Sequence, residues 1–383
     1  MNPGGLIRLF FTGLSSGKLA LALVAVLILF SLVGVIFPQM GQLPANKILQ
    51  WQQQHPSITA VLKPLGLFSV FHSWPFMIAL GLLAINTLTC TVIHFSEKGG
   101  FRALVGSGAM TTWGFLLLHL SFIVLLAGGF TSAATRMDGY ILLTEGQSFT
   151  DQPENYLRYS TGSLRPSGGW DFSVLLKDVN ITFEKSDYVV DMKTTLQFQS
   201  QQNRLIEGVV KINEPFCYQG MTLTLDEIGY SPRIILRQEG KQKPLVNSFI
   251  ALQTFLTEDG RQYRDYLPLP FFENRVILEF YPAGSADIKT GVVSTEPVIL
   301  VKTSDSKGEI SATSNLPLNQ KTTADGYEFE FVELRQWASF RTSNDPGYPV
   351  VWIAMWLGLV ALLLRYLPEL RGWTKQADRA PER

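Results

Sequence analysis

Residues 112–130 read TWGFLLLHLSFIVLLAGGF, nineteen residues in which His119 is the only ionisable side chain. A bilayer's hydrocarbon core is ~30 Å thick and takes about 20 apolar residues of α-helix to cross, so this run predicts a transmembrane helix. Three more runs share its character. Residues 19–37, LALALVAVLILFSLVGVIF, carry no charge and end at Pro38. They cover about 28 Å at ~1.5 Å rise per residue. A cleaved signal peptide is the rival reading of this run, but its apolar region is usually roughly 7–15 residues and is followed by an A-x-A site, which is missing here. Residues 75–92, PFMIALGLLAINTLTCTV, are interrupted only by Asn86, Cys90 and three threonines, and residues 349–364, PVVWIAMWLGLVALLL, are stopped by Arg365.

These runs account for the composition of the 383-residue chain. Charged residues make up 17%, against roughly 25% in an average soluble protein. Lys plus Arg and Asp plus Glu are 32 each, so the chain lacks the basic surface that nucleic-acid binding requires. Two cysteines cannot build a disulfide scaffold. Histidine occurs only at 55, 72, 94 and 119. The remainder of the chain therefore holds no Ser-His-Asp triad, zincin site or CxxCH haem-attachment motif.

Lys and Arg in the short connections set the expected orientation. Arg8, Lys18, Lys98, Arg102, Arg365, Arg371, Lys375, Arg379 and Arg383 fall on one side, nine in all, against Lys47 and Lys63 on the other. Both termini are expected in the cytoplasm. The predicted order is a tail 1–18, with residues 3–13 as an interfacial stretch, then a three-helix region 19–131 with an outer loop 38–74 and a cytoplasmic loop 95–111. An extracytoplasmic domain 132–347, a fourth helix 348–365 and a cytoplasmic tail 366–383 follow. In loop 38–74, Ile48, Leu49 and Trp51 suggest a short helix resting on the membrane surface.

The long segment 131–348 alternates apolar and polar residues in short runs broken by Gly, Pro, Asn and Asp. Residues 140–144, 172–176, 179–183, 195–198, 209–212, 221–225, 233–236, 275–280, 298–301 and 327–332 read as strands. The predicted fold class is thus four transmembrane α-helices plus a large all-β, sandwich-like domain between helices 3 and 4. Cys217, the only cysteine in that domain, reads as a small buried apolar residue or, less simply, as a reactive thiol.

Several phrases in this order resemble the ResB (CcsB) family of system II cytochrome c biogenesis proteins. They are Phe71-His72-Ser73-Trp74-Pro75-Phe76 leading into a span that ends Leu88-Thr89-Cys90-Thr91, and the third span with His119 and Gly128-Gly129, followed by Leu143-Thr144-Glu145-Gly146-Gln147. Val210-Lys211-Ile212-Asn213-Glu214-Pro215-Phe216 and Tyr218-Gln219-Gly220 come next, then Asn344-Asp345-Pro346-Gly347-Tyr348-Pro349. The resemblance implies an accessory subunit of a cytochrome c haem lyase (synthase) complex in a bacterial inner membrane, with its large domain periplasmic. It implies a CcsA (ResC)-like multi-span partner that carries the catalytic segment, apocytochrome c as the second partner, and thiol-reducing proteins nearby. Haem b would be shared with the partner, carried outward and attached at CxxCH. A scaffold subunit of another membrane complex, without haem, is the alternative.

The candidate haem-binding residues are His119 and His72, with His119 as an axial ligand to haem iron and the second ligand expected from the partner. An ionisable group inside an apolar span is costly and is by default a functional candidate. The other reading of His119 is a neutral imidazole hydrogen-bonded across a helix interface. His72, beside Trp74, reads equally as a member of an interfacial aromatic belt. His94 reads as an interfacial residue or an entry point for haem, and His55 as a solvated side chain. Asn86, Thr87 and Thr89 are expected to face neighbouring helices. Asp345-Pro346-Gly347 reads as a turn or helix start, and Asn213-Glu214-Pro215 as a strand end with a turn.

Overall fold

Apolar length becomes helix in all four places. The computed structural model describes residues 13–40, 45–105, 109–166, 172–183, 189–200, 204–257, 260–267, 275–283, 295–304 and 310–377. The predicted interfacial stretch, apart from Gly13, and Arg8, Arg379 and Arg383 lie outside the described residues. The helices are α1 (Gly17–Ile36), α2 (Ala45–Gln54), α3 (Pro56–Leu62), α4 (Trp74–Glu97), α5 (Ala109–Thr135) and α6 (Tyr348–Ala377). Of these, α1, α4, α5 and the first twenty residues of α6 are long and apolar enough to cross a membrane. Phe37 is extended at the end of α1, as sterics ask of a residue before proline. Helix α1 starts at Gly17, two residues before the expected first span, and α6 runs past the expected end of the fourth span to Ala377.

The chain divides into two units, residues 1–133 with 346–383, and residues 134–345. In the helical unit, Leu23 of α1 and Ala79 and Leu83 of α4 are buried together, with Phe122 of α5 against them. Asn86 is also buried, and its amide donates to the carbonyls of Leu14 and Ser16 at the entry to α1. Thr87 bonds Leu83 of its own helix, and the half-buried Thr89 bonds Ile85. Small residues let α5 and α6 approach closely, the usual device of helix pairs in lipid. A Cβ on Gly114 would lie 2.6 Å from Arg365 N, and one on Gly128 would lie 2.9 Å from Val351 N. Between them Ser121 meets Gly358.

The 38–74 connection folds on itself. Ile48, Leu62, Leu67, Phe68 and Val70 are buried together with Trp51, Phe30 and Phe37. Ile48 and Trp51 thus pack inward, and only Leu49 of the expected surface trio is exposed. Gln39 stitches this cap. Its Nε2 donates to Phe37 O and Leu67 O at 3.1 Å, and its Oε1 accepts from Val70 N–H at 3.1 Å.

The second unit is built of antiparallel strands. They are β1 (Met137–Thr144), β2 (Ser148–Thr150), β3 (Arg158–Thr161), β4 (Phe172–Phe183), β5 (Val189–Ser200), β6 (Leu205–Lys211), β7 (Phe216–Tyr218), β8 (Met221–Gln238), β9 (Pro244–Phe249), β10 (Gln253–Thr257), β11 (Gly260–Leu267), β12 (Arg275–Tyr281), β13 (Val298–Ser304), β14 (Ile310–Pro317), β15 (Lys321–Ala324) and β16 (Tyr327–Asn344). One sheet runs β3-β1-β16-β8-β7, with β15 on β16 and β9 on β8. A second is β10 to β14 in order, and a third is β2-β4-β5-β6.

Two 18-residue strands, β8 and β16, form the spine of this unit. Met221 and Leu223 of β8 and Phe340 of β16 join Leu176 and Phe198 in one core. Ile234 and Leu236 of β8 and Phe329 and Phe331 of β16 join Leu278 and Ile299 in another. The register of the pair slips at Phe331/Glu333 and at Ser339/Phe340. Such bulges re-aim side chains along a strand. Gly229 stands opposite Trp337 between the two slips, where a Cβ would crowd the indole at 2.7 Å.

The phrase Thr144-Glu145-Gly146-Gln147 is a knot of backbone bonds. The Glu145 carboxylate accepts from Val179 N–H at 2.9 Å and Gln336 N–H at 3.0 Å, and its carbonyl accepts from Arg335 at 2.7 Å. One side chain thereby ties β1 to β4 and β16. Asn213 takes φ 60° in the turn after β6, and Gln219 and Gly220 take φ 49° and 82°, the left-handed pair of a two-residue hairpin. Cys217, expected to be buried, is exposed on β7 with its sulfur 3.5 Å from Thr222 Oγ1.

Candidate functional site

The four apolar helices line a cleft. Its volume is about 740 Å³, within the roughly 300–1,000 Å³ of ordinary small-molecule sites. Val24 of α1 and Leu83 and Thr87 of α4 form one side, while Leu118, His119, Ser121, Phe122 and Leu125 of α5 form another. The remaining wall is α6, with Trp352, Met355, Trp356, Gly358, Leu359 and Leu362. Trp352 and Trp356 lie one helical turn apart, as do Met355 and Leu359, so a single face of α6 supplies rings and thioether together.

His119 is the basic group in this wall. Its Nδ1 stands 2.9 Å from the carbonyl oxygen of Phe115, one turn back on α5. A carbonyl only accepts, so this contact calls for the proton on Nδ1. That bond fixes both tautomer and ring, the usual preparation of a ligating histidine. The acceptor is on the same helix, not on an adjacent one. The two hydroxyls of the cleft are differently disposed. Thr87 donates to Leu83 O at 2.9 Å and Ser121 to Leu118 O at 2.7 Å, so both hydroxyl protons are spent on their own helices.

The other three histidines fall elsewhere. His94, near the end of α4, has its ring 4.4 Å from the ring of Phe115, whose other neighbour is His119 at 4.2 Å. Phe115 thus stands between two imidazoles, a relation that sequence distance conceals. His72 is exposed on the 3-10 turn Leu67–His72 and does not line the cleft. The two candidate ligands are therefore not brought together. His55, expected to be solvated, is half-buried, with its ring stacked 4.4 Å from that of Trp51 and its Nδ1 3.0 Å from Trp51 O.

The lining residues are of types that suit an apolar ligand bearing a metal centre. Neutral imidazole is a good ligand for haem iron, thioether sulfur is another, and indole rings suit a planar face. In the β unit, among the described residues, no group of three His, Cys, Asp or Glu gathers to hold a metal ion.

Fold and cleft together define a membrane protein with four apolar helices and a large strand-built insertion between the third and fourth. The chain belongs to the ResB-like family, whose profile matches residues 18–100 and 93–382. It is similar to the cytochrome c biogenesis protein CcsB of Trichormus variabilis, with 19% identity over 98% of this chain and 88% of that protein. The protein of the same name from Nostoc sp. (strain PCC 7120) matches with the same identity and coverage.

Proposed function

We propose that this chain is a cytochrome c biogenesis subunit that carries haem through the membrane together with a CcsA-like partner and presents it to apocytochrome c. The observation that carries this reading is the cleft itself, an apolar space of about 740 Å³ lined by His119, whose Nδ1 meets the Phe115 carbonyl of its own helix. Haem is here a cargo. His119 would hold its iron on one side, and Trp352, Trp356 and the aliphatic walls would exclude water from its faces. The second axial position is left to the partner.

In this reading both termini are cytoplasmic and the β unit is periplasmic, where it positions apocytochrome. The Lys and Arg bias supports the orientation. Thioether formation at CxxCH joins two thiols to the haem vinyl groups and depends above all on holding the reactants together. The partner supplies the segment where that occurs, and external thiol reductants keep the apocytochrome cysteines free. His72, exposed near the opposite end of α4 from His94, would meet haem after it leaves the cleft.

The test is co-purification of the complex from cells, with haem measured as the pyridine haemochrome. His119→Ala is expected to leave membrane insertion and partner binding intact and to remove most of the haem. Added imidazole should partly restore haem content and cytochrome c maturation. His72→Ala should have a smaller effect on haem held in the cleft. Full haem content and full maturation with His119→Ala would end the ligation reading.

A further inference from the structure

The last carbonyls of a helix lack partners within it and need outside donors. For Ala134 and Thr135, which end α5, and for Arg136 just beyond it, donors come from the turn at residues 162–165. Gly162 N–H donates to Arg136 O, Leu164 N–H to Ala134 O and the Arg165 guanidinium to Thr135 O, each at 2.8 Å. Arg165 N–H closes the turn on Gly162 O at 3.2 Å, and its guanidinium also reaches Asn344 Oδ1 at 3.1 Å. The turn is therefore fixed to the helix end. Yet the side chain at its tip, Leu164, is 63% exposed.

Helix length says where that tip lies. The 27 residues of α5 extend about 40 Å, more than the ~30 Å hydrocarbon core, so a spanning α5 ends in the headgroup zone. An exposed leucine tied by its own amide to that end meets phospholipid. We propose that the 162–165 turn is an interfacial anchor, with Leu164 entering the boundary between headgroups and acyl chains of the bilayer that α5 crosses. The proposal rests on α5 spanning the membrane.

Strand β3 runs from this turn along β1, with Thr161 paired to Met137 and Arg158 to Tyr140. At ~3.3 Å per residue, Leu157 lies about 13 Å along the chain from Thr161, farther from the turn than Tyr159, which is 36% exposed.

The experiment uses the full chain with Cys90→Ser and Cys217→Ser, in nanodiscs of phosphatidylcholine and phosphatidylglycerol. A bimane is attached at Leu164→Cys, Tyr159→Cys or Leu157→Cys. Leu245→Cys on β9 is the control outside the turn, and Leu120→Cys on α5 is the control inside the span. Quenching by lipid spin-labelled near the headgroup is expected to be at least about twofold greater at residue 164 than at 245, with 159 between 164 and 157. Lipid labelled deep in the chain should quench residue 120. If 120 is quenched and 164 behaves like 245, the anchor is wrong and the span stands. If 120 escapes the deep label, the spanning reading fails and the anchor with it.

Discussion

The helical unit shows its large apolar side chains and the β unit hides them. Leu21, Ile28 and Val35 of α1 are 73%, 56% and 84% exposed, whereas Phe198, Phe329, Phe331 and Phe340 are fully enclosed. Polar groups divide the same way. In the helices Thr87, Thr89, Thr91, Ser96 and His119 each bond a carbonyl one turn back on their own helix. In the β unit Glu145 and Trp337 reach across strands to backbone far away in sequence. The two patterns answer to two solvents. Lipid offers no hydrogen bonds, so these side chains bond within their own helices, while the buried Asn86 reaches Leu14 and Ser16 at the entry to α1. Water drives apolar burial and leaves cross-strand bonds to fix register.

The comparison breaks most sharply by truncation. Phe331→Ala removes a ring enclosed in the second core and should cost about 3–5 kcal/mol. Leu29→Ala, at a site 61% exposed on α1, should cost less than about 1 kcal/mol, because lipid is as apolar as the side chain removed. Pulse proteolysis of the full chain in detergent against urea would measure both. Equal losses would mean that the helical surface is covered by protein. Glu145→Ala comes next, at about 2–3 kcal/mol, because it strips the acceptor from two backbone donors.

Helix packing should respond less. Gly128→Leu places side-chain atoms where Val351 N already stands within 2.9 Å of a Cβ. Overpacking of this kind costs roughly 1–3 kcal/mol. Cross-linking yield between cysteines on α5 and α6 is expected to fall, while the urea midpoint of the β unit stays unchanged. A shift in that midpoint would join the two units energetically.

What could be read from sequence follows the same division. The four spans were legible because an uninterrupted apolar run needs no partner to be recognised, and His119 was legible as the exception inside one. The strands were legible only where alternation persists. Residues 172–176 and 179–183 are one strand, β4, whose register slips at Leu176/Asp178, and the predicted strands 221–225 and 233–236 are one strand, β8. A bulge reverses inside and outside, so a continuous strand reads as two. The edge strand β3 is exposed at all four residues and offers no alternation. The far wall of the cleft was not legible either, because Met355 and Trp356 come to His119 across more than 230 residues of chain. Only a fold that returns α6 beside α5 makes them neighbours.

The smallest effect tests charge in the β unit. Glu227 on β8 has its carboxyl raised above the ordinary range, first by partial burial and then by the neighbouring Asp226, with the Thr254 backbone opposing. Asp265 on β11 is raised by burial too, against a bond from Tyr266 N–H. A carboxyl with a raised folded-state pKa favours the protonated form in the fold. The stability it contributes is therefore complete below the ordinary carboxylate pKa and is lost as pH rises through the raised value. Glu227→Gln removes that loss. The variant should match the parent in acid, below the carboxylate range, and sit slightly above it at neutral pH, by less than any substitution above. Urea midpoints across that range would show it. A variant weaker than the parent at neutral pH would mean that the Glu227 carboxylate has a stabilising partner in the fold, and that the β unit handles this charge as it handles Glu145.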